Sequence, residues 1–171
     1  MKFGGTSLGD ISRIKSAATR IKTEVSKGNS VISVVSAMAG NTNKLIELVN
    51  EISKTYDKSE YDVVISTGEQ ISAGLLTIAL QTIGIRARSW TGWQTPIFTD
   101  EFFSKASINK IKTENIKSHL KKGEVAVLTG FQGITEKNKL TTLGRGGSDT
   151  SAVAIAASFN ADRCDIYTDV D

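Results

Sequence analysis

The sequence predicts an α/β sandwich with a mainly parallel central sheet. Short runs of β-branched or apolar residues, at 30–36, 124–129 and 164–168, are typical of buried strands. Segments with helical spacing of apolar residues lie between them. Because strands that alternate with helices build parallel sheets covered by helices, this order predicts the fold class.

The helices are predicted from apolar spacing and from their start and stop residues. The first runs from Asp10 to Lys27 and ends at Gly28, and its apolar face comprises Ile11, Ile14, Ala18, Ile21 and Val25. The second runs from Lys44 to about Tyr56 with Thr42 or Asn43 as its cap, and its expected buried face comprises Leu45, Leu48, Val49 and Ile52. Residues 61–82 are predicted as mostly helix with a break at 66–68, although 63–65 has a local strand pattern. A short helix is expected over 113–122, and 152–157 belongs to a buried, alanine-rich helix.

The remaining strands and the turns after them predict where a ligand would bind. Residues 85–90 alternate as a strand does, 97–99 and 106–109 are expected to be short edge strands, and 131–140 is expected to be a hairpin or flap. Polar turns follow strands at 4–7, 36–42, 130–131 and 168–169. Since ligands of such sheets bind at the carboxyl ends of the strands, these turns are predicted to share one rim.

Composition restricts the class of protein. The chain has 171 residues, 39% of them hydrophobic, and a net charge of +3, which suits one domain with a full core. The lysines are spread out without interleaved aromatic residues, so nucleic acid is not an expected partner. The single cysteine excludes an internal disulfide or a CxxC metal site and indicates a reducing compartment. We find no run approaching the ~20 apolar residues of a membrane span and no signal-peptide core, and therefore expect a cytoplasmic protein without a membrane partner. His119 is expected on a solvated helix face.

A glycine-rich loop, Thr141-Thr-Leu-Gly-Arg-Gly-Gly-Ser-Asp-Thr-Ser151, leads into the alanine-rich helix. A helix start leaves backbone N–H groups unpaired and carries partial positive charge, which favours an anion such as phosphate. Arg145 adds a cation suited to a carboxylate or phosphate, and Asp149 adds a carboxylate that can orient a lysine or support a magnesium ion. The loop therefore predicts a site for two anionic groups.

Lys2-Phe-Gly-Gly-Thr-Ser7 places a lysine on a strand end before a glycine turn. It is not the GxxxxGK[ST] phosphate loop, because its lysine precedes the glycines. Its backbone N–H groups can still cradle phosphate oxygens, and the lysine can stabilise a transferring phosphoryl group. The alternative is a tight strand–helix turn with a surface lysine.

Other candidates are weaker when taken singly. Ser36-Ala-Met-Ala-Gly-Asn-Thr42 can bind polar groups of a substrate, and Glu69 follows a glycine within an apolar segment. A buried carboxylate there needs a partner, either a substrate amine or a protein N–H. Trp90 and Trp93 are expected in the core or an interface. A serine-hydrolase triad is not supported, since the chain lacks GxSxG and its histidine lacks an evident partner.

Taken together and in order, these motifs resemble the aspartate kinases. They are Lys2–Ser7, Ser36–Gly40, Ser66–Glu69, Gly130–Gly133, Thr141–Asp149 and Ile166–Asp171, and they span the whole chain. The resemblance implies the amino acid kinase fold, a three-layer αβα sandwich around a mixed eight-stranded sheet. It implies phosphoryl transfer from ATP, with Mg²⁺, to the side-chain carboxylate of L-aspartate, the entry to lysine, threonine, methionine and diaminopimelate synthesis. The short spacing from Ser36 to Glu69 resembles the monofunctional bacterial enzymes.

The resemblance also implies residue roles. Lys2 and Asp149 would act at the reacting centre, Lys2 on the phosphates, with Gly4, Gly5, Gly146 and Gly147 lining the phosphate path. Ser36, Thr42, Glu69, Phe131, Arg145 and Ser148 would surround aspartate, with Arg145 on its carboxylate. Thr168 and Asp169 would begin the adenine and ribose site. No general base is required, because a carboxylate nucleophile is already ionised at pH 7.

The chain departs from the family pattern at both ends. We expect residues 1–171 to be one partial amino acid kinase domain, with the segment that completes the nucleotide site and the ACT regulatory domains absent. Two alternatives stay open: a sister kinase with glutamate, acetylglutamate or UMP as acceptor, and a non-catalytic remnant that binds aspartate or a partner subunit. Exposed sheet edges favour a homo-oligomer or other edge-to-edge association.

Overall fold

The computed structural model describes residues 1–144 and 146–168. Within them the strands are β1 (Lys2–Phe3), β2 (Ile32–Val35), β3 (Ala87–Trp90), β4 (Ile97–Thr99), β5 (Ile108–Ile111), β6 (Val125–Thr129), β7 (Gln132–Ile134), β8 (Leu140–Thr142) and β9 (Ile166–Tyr167). The helices are α1 (Ile11–Ser26), α2 (Asn41–Ile52), α3 (Lys58–Ile65), α4 (Thr67–Thr82), α5 (Glu114–Leu120) and α6 (Gly147–Phe159).

The central sheet is parallel throughout the described residues, with strand order β3-β6-β2-β1-β9. Strand β6 shows how its sequence builds two cores. Val125 and Val127 face α1 and α4 on one side, while Ala126 and Leu128 face α5 and α6 on the other. Because successive side chains of a strand point to opposite faces, one apolar run supports both helical layers. The three-layer α/β prediction is confirmed, and the described residues contribute five strands to this sheet, where the resemblance implied eight.

A second sheet of four strands, in the order β5-β4-β7-β8, lies beside the first. Strands β7 and β8 form the predicted hairpin. The prediction of two short edge strands is wrong for 97–99, because β4 pairs with both β5 and β7 and lies inside the sheet. The second edge strand is β5, shifted to Ile108–Ile111.

Helix positions agree with the sequence more closely than helix burial does. The break near Ser66 divides α3 from α4 as expected, and Asp10 caps α1 by accepting from the Arg13 N–H at 2.8 Å. Helix α2 begins earlier than predicted, after Gly40 in a left-handed conformation, so neither Thr42 nor Asn43 is its cap. Its expected buried face is wrong, since α2 has no buried residue and Leu48 and Ile52 are exposed.

Two further burial predictions are wrong. Ile166 of β9 is 43% exposed, because β9 lies at the end of the sheet order instead of inside it. His119 is not on a solvated face. Its ring packs edge-on against Trp90 with 5.2 Å between centroids, and its Nδ1 lies 2.8 Å from a Glu124 carboxylate oxygen. Trp90 is buried as expected, whereas Trp93 is exposed.

One segment, Lys58–Thr82, is long and apolar enough to cross a membrane by length and composition, with half of its most apolar window buried inside the fold. The sequence prediction that no run approaches a span was therefore too strong. The segment is divided into α3 and α4, and it carries the buried carboxylates Asp62 and Glu69. These features are those of helices packed within a protein core.

Candidate functional site

A pocket of about 240 Å³ lies at the carboxyl ends of β1 and β2. It brings together most of the predicted site residues, and the side chains and glycines that line it are Lys2, Ser36, Ala37, Thr42, Glu69, Phe131, Gly144, Gly146, Gly147, Ser148 and Asp149. A larger cavity of about 680 Å³ lies beside α5 and α6 at the amino ends of β1, β2 and β9, and no predicted site residue lines it. The chemistry therefore concentrates at the smaller pocket.

Lys2 and Asp149 form an ion pair in this pocket. Lys2 comes from β1 and is almost fully buried, while Asp149 lies in the first turn of α6. The Lys2 Nζ is 2.7 Å from the Asp149 Oδ1. Lys2 is thus not a surface lysine, and the carboxylate fixes where its ammonium group points.

The glycine turn after β1 is locked to the loop after β2. A Cβ on Gly5 would lie 2.8 Å from the Ala37 carbonyl oxygen, so only glycine allows this approach. The Ala39 N–H donates to the Gly5 carbonyl at 3.1 Å, and the Gly4 N–H donates to the Tyr167 carbonyl at 3.0 Å. Three strand ends, those of β1, β2 and β9, are therefore held together by backbone contacts.

Glu69 occupies the first turn of α4 and is only 3% exposed. Its Oε1 accepts the Ala37 N–H at 3.0 Å, while its Oε2 is buried without a hydrogen-bond partner among the described residues. Burial raises the pKa of Glu69 to about 7, against the opposing effect of the Ala37 N–H. One oxygen has found the protein N–H that the sequence suggested, and the other remains available to a ligand.

Phe131 has a strained backbone. Its φ is +65°, and the Gln132 N–H donates to the Gly130 carbonyl at 2.8 Å across it, which forms the rarer, positive-φ kind of γ-turn. Such a conformation in a non-glycine residue costs about 1–3 kcal/mol and concentrates at functional sites. Helix α6 sustains it, because Ser151 Oγ accepts the Phe131 N–H at 3.1 Å and a Cβ on Gly147 would lie 2.9 Å from the Phe131 ring.

The start of α6 offers fewer unpaired N–H groups than the sequence predicted. No side chain caps the helix, and Gly146 has a left-handed φ of 76°. The Gly147 N–H donates to the Gly144 carbonyl, and the N–H groups of Asp149 and Thr150 donate to the Gly146 carbonyl. The loop's own turns thus use several donors that we expected to face an anion.

Of the predicted site residues that the structure describes, Gly4, Gly5 and Thr168 are not among those that line the pocket. Thr168 follows β9 and is exposed. Arg145 and Asp169 lie outside the described residues, so their predicted roles stay predictions. Within the described residues, no group of three or more His, Cys, Asp or Glu side chains could hold a metal ion.

Two residues that support the surroundings of the pocket were not predicted from the sequence. Ala37 acts through its backbone N–H, which no side-chain pattern can reveal. Asp62 is fully buried and accepts hydrogen bonds from two distant segments. Its signal was available as a lone carboxylate beside the apolar run 63–65, since a buried charge needs partners.

Comparison with known proteins identifies the family. The sequence profile of the amino acid kinase family matches residues 1–171. The aspartokinase of Rickettsia conorii is 53% identical and that of Geobacillus stearothermophilus 51% identical, each over 99% of this chain. These matches cover 43% and 42% of the two relatives, so the chain spans less than half the length of the curated relatives it matches.

Solved structures agree. The crystal structure of aspartate kinase from Synechocystis superposes with a TM-score of 0.85 at 48% identity, over 99% of this chain and 28% of that one. E. coli aspartokinase III, solved in complex with aspartate and ADP, gives a TM-score of 0.84 at 25% identity, over 99% of this chain and 48% of that one. The resemblance to aspartate kinases is confirmed, and the chain belongs to the amino acid kinase family.

Proposed function

We propose that this chain forms the acceptor side of an ATP-dependent aspartate kinase, which transfers the γ-phosphoryl group of ATP to the side-chain carboxylate of L-aspartate. The observation that carries the proposal is a single pocket that joins the Lys2–Asp149 pair to a buried carboxylate, Glu69, with one unsatisfied oxygen. The relatives named aspartokinase, which are 53% and 51% identical to this chain, support L-aspartate as the acceptor.

The pocket fits a small amino acid with charges of both signs. Its volume of about 240 Å³ is below the roughly 300–1,000 Å³ of sites for drug-sized ligands. The Glu69 Oε2 would accept a hydrogen bond from the α-ammonium group of aspartate, and this bond would give the Oε2 the partner that it lacks. By resemblance, Arg145 would hold the α-carboxylate, and the side chains of Ser36, Thr42 and Ser148 would complete the polar wall.

The reaction then requires positioning and charge neutralisation. An oxygen of the aspartate side-chain carboxylate attacks the γ-phosphorus, the bond from phosphorus to the bridging oxygen breaks, and ADP leaves with that electron pair. Lys2 would stabilise the negative charge on the transferring group, and Asp149 would keep its ammonium directed there.

ATP and Mg²⁺ are proposed ligands of this same rim. Mg²⁺ takes most of its ligands from phosphates and water and needs only one or two carboxylates, and Asp149, with half of its side chain exposed, is the carboxylate placed beside Lys2. The ion would neutralise charge on the phosphates. Thr168 and Asp169 are proposed to begin the nucleotide side.

Titration calorimetry with aspartate tests the proposal. The protein should bind L-aspartate more tightly than glutamate, acetylglutamate or UMP, and Glu69→Gln should lose most of the affinity for L-aspartate. Glu60→Gln, which removes an exposed carboxylate from α3, is the matched control and should bind normally. Absence of aspartate binding, or a preference for acetylglutamate or UMP, would refute the acceptor assignment.

Association through sheet edges stays a proposal. Among the described residues β9 and β3 are the two end strands of the central sheet, and the exposed Ile166 makes β9 the edge that we propose for pairing with a second copy. Light scattering should report a dimer or larger species. A stable monomer at high concentration would contradict this.

A further inference from the structure

Asp62 joins the second sheet to the helices of the site. The residue lies on α3, is 0% exposed, and accepts four hydrogen bonds. Its Oδ2 accepts the backbone N–H groups of Ser104 at 2.8 Å and Thr142 at 2.9 Å. Its Oδ1 accepts from the hydroxyl groups of the same residues, at 3.2 Å and 2.8 Å. One carboxylate thus satisfies every donor that the two segments present to it.

Both segments lead directly to the glycine loop. Thr142 ends β8, two residues before Gly144. The Ser104 carbonyl packs against Gly144, where a Cβ would lie 3.4 Å away, and the Ala106 N–H donates to the Thr142 carbonyl at 2.9 Å. The segments around Ser104 and Thr142 therefore form one unit with Gly144, and Asp62 is the buried residue that anchors this unit to α3.

The other end of this anchor leads to Glu69. Helices α3 and α4 meet at Ser66, three residues before Glu69, and the Ser66 carbonyl accepts the Gln132 side-chain N–H of β7 at 3.0 Å. The second sheet is thus bound to the α3–α4 pair at two buried points. Asp62 of α3 bonds to strand β8, and Gln132 of strand β7 bonds to Ser66 at the junction of the two helices.

From this geometry we infer that Asp62 is a positioning residue, which fixes Gly144, Gly146 and Gly147 relative to Glu69 and so sets the shape of the aspartate pocket. The inference rests on the proposed function, because it assigns Asp62 to the binding of the same acceptor. Asp62 itself does not line the pocket and acts only through Thr142 and Ser104.

The test compares two substitutions of Asp62 in the whole chain. Asp62→Ala removes the acceptor of two buried N–H groups. Asp62→Asn can keep the arrangement, because its oxygen can accept both N–H groups while its amide donates to hydroxyl oxygens, which turn to accept. Aspartate affinity is measured by calorimetry, and hydrogen exchange is measured at residues 142–147 and, as an internal reference, in β6. Thr142→Val, which removes one hydroxyl bond only, serves if Asp62→Ala does not fold.

We expect Asp62→Ala to weaken aspartate binding at least tenfold and to speed exchange at 142–147 while β6 stays protected. Thr142→Val, which removes one of the four hydrogen bonds, should change both in the same direction by a smaller factor. Asp62→Asn should restore affinity to within about threefold. Unchanged affinity in a folded Asp62→Ala protein, or exchange that rises equally in β6, would overturn the positioning role. If the unsubstituted protein does not bind aspartate, the proposed function fails, and the exchange at 142–147 still decides whether Asp62 fixes the loop.

Discussion

The substitution Glu69→Gln tests two effects of the buried carboxyl group separately. One is the loss of folding stability when Glu69 ionises, and the other is the contribution of the ionised group to ligand binding. Gln keeps an oxygen that can accept the Ala37 N–H and puts an uncharged amide where the unpaired Oε2 lies. Between the ordinary pKa of 4.5 and the raised value of about 7, the folded protein keeps a proton that the unfolded chain has released. The free energy of unfolding must therefore fall as pH rises through this window.

The size of the effect follows from the width of the window. Each pH unit is worth 1.36 kcal/mol, so Glu69 lowers the free energy of unfolding by about 3 kcal/mol between pH 4.5 and pH 7. Glu69→Gln lacks this loss. At pH 8 the variant should be more stable than the parent protein by up to about 3 kcal/mol, and at pH 5 the two should nearly agree.

Urea denaturation of both proteins at pH 5 and pH 8 measures this directly. Burial also raises the pKa of Asp62, against its four hydrogen bonds, but that contribution is common to both proteins and cancels in their difference. A variant that loses stability with pH as steeply as the parent would refute the assignment of a buried, raised-pKa carboxyl to Glu69.

Aspartate binding should depend on pH in the opposite direction from folding stability, and should become stronger as the pH rises. Only ionised Glu69 can pair with an ammonium group, and its ionised fraction falls about tenfold from pH 8 to pH 6 when the pKa is about 7. The Kd for aspartate should rise about tenfold over the same range. A pH-independent Kd would show that Glu69 does not contact the ligand's ammonium group.

Substitutions at three further positions, Lys2, Phe131 and Gly5, test the structure around the pocket. Lys2→Met keeps the buried stem but removes the ion pair with the helix α6 carboxylate, and should abolish whatever ATP binding calorimetry detects; retained binding would contradict a phosphate contact. Phe131→Gly should be more stable to urea than Phe131→Ala by about 1–2 kcal/mol, because only glycine adopts the left-handed backbone without strain; equal stabilities would contradict the strained turn. Gly5→Ala should destabilise by about 1–3 kcal/mol through collision with Ala37. The control Gly74→Ala, a helical position with open space, should be neutral or stabilising, and similar losses at both positions would refute the close-approach argument.

The layered fold could be predicted because each helix and strand has its own characteristic spacing of apolar residues. The unbroken apolar run of β6 predicts a strand buried on both faces. Helix α1 buries Ile14, Ala18 and Ile21 as its spacing predicts, although Ile11 of the same face is exposed. Helix α2 has an equally clear apolar face, yet it is not buried. Periodicity shows which face of a helix is apolar, whereas the presence of a neighbour that covers it depends on the whole assembly.

The site could be predicted as far as local motifs carry it. The sequence identified Lys2, Glu69 and Asp149 separately, and the structure places them in one pocket. It also offered Asp149 as a carboxylate that orients a lysine, which the ion pair with Lys2 confirms. It could not show that Asp62 anchors β8, because that contact joins segments far apart in the chain. Strand β9 was misjudged for the same reason, since apolar character does not reveal a strand's place in the sheet order.

The pairing of β1 has a consequence for how the protein folds. This strand of two residues lies between β2 and β9, and its partner residues in β9 are Ile166 and Tyr167. Contacts between segments so far apart in sequence form slowly, because loop closure must precede them. During synthesis at about 5–20 residues per second, roughly 7–30 s separate the appearance of Lys2 from that of Asp149. The pocket is therefore built from segments that are synthesised at well-separated times, and a nascent chain cannot contain it before α6 has emerged.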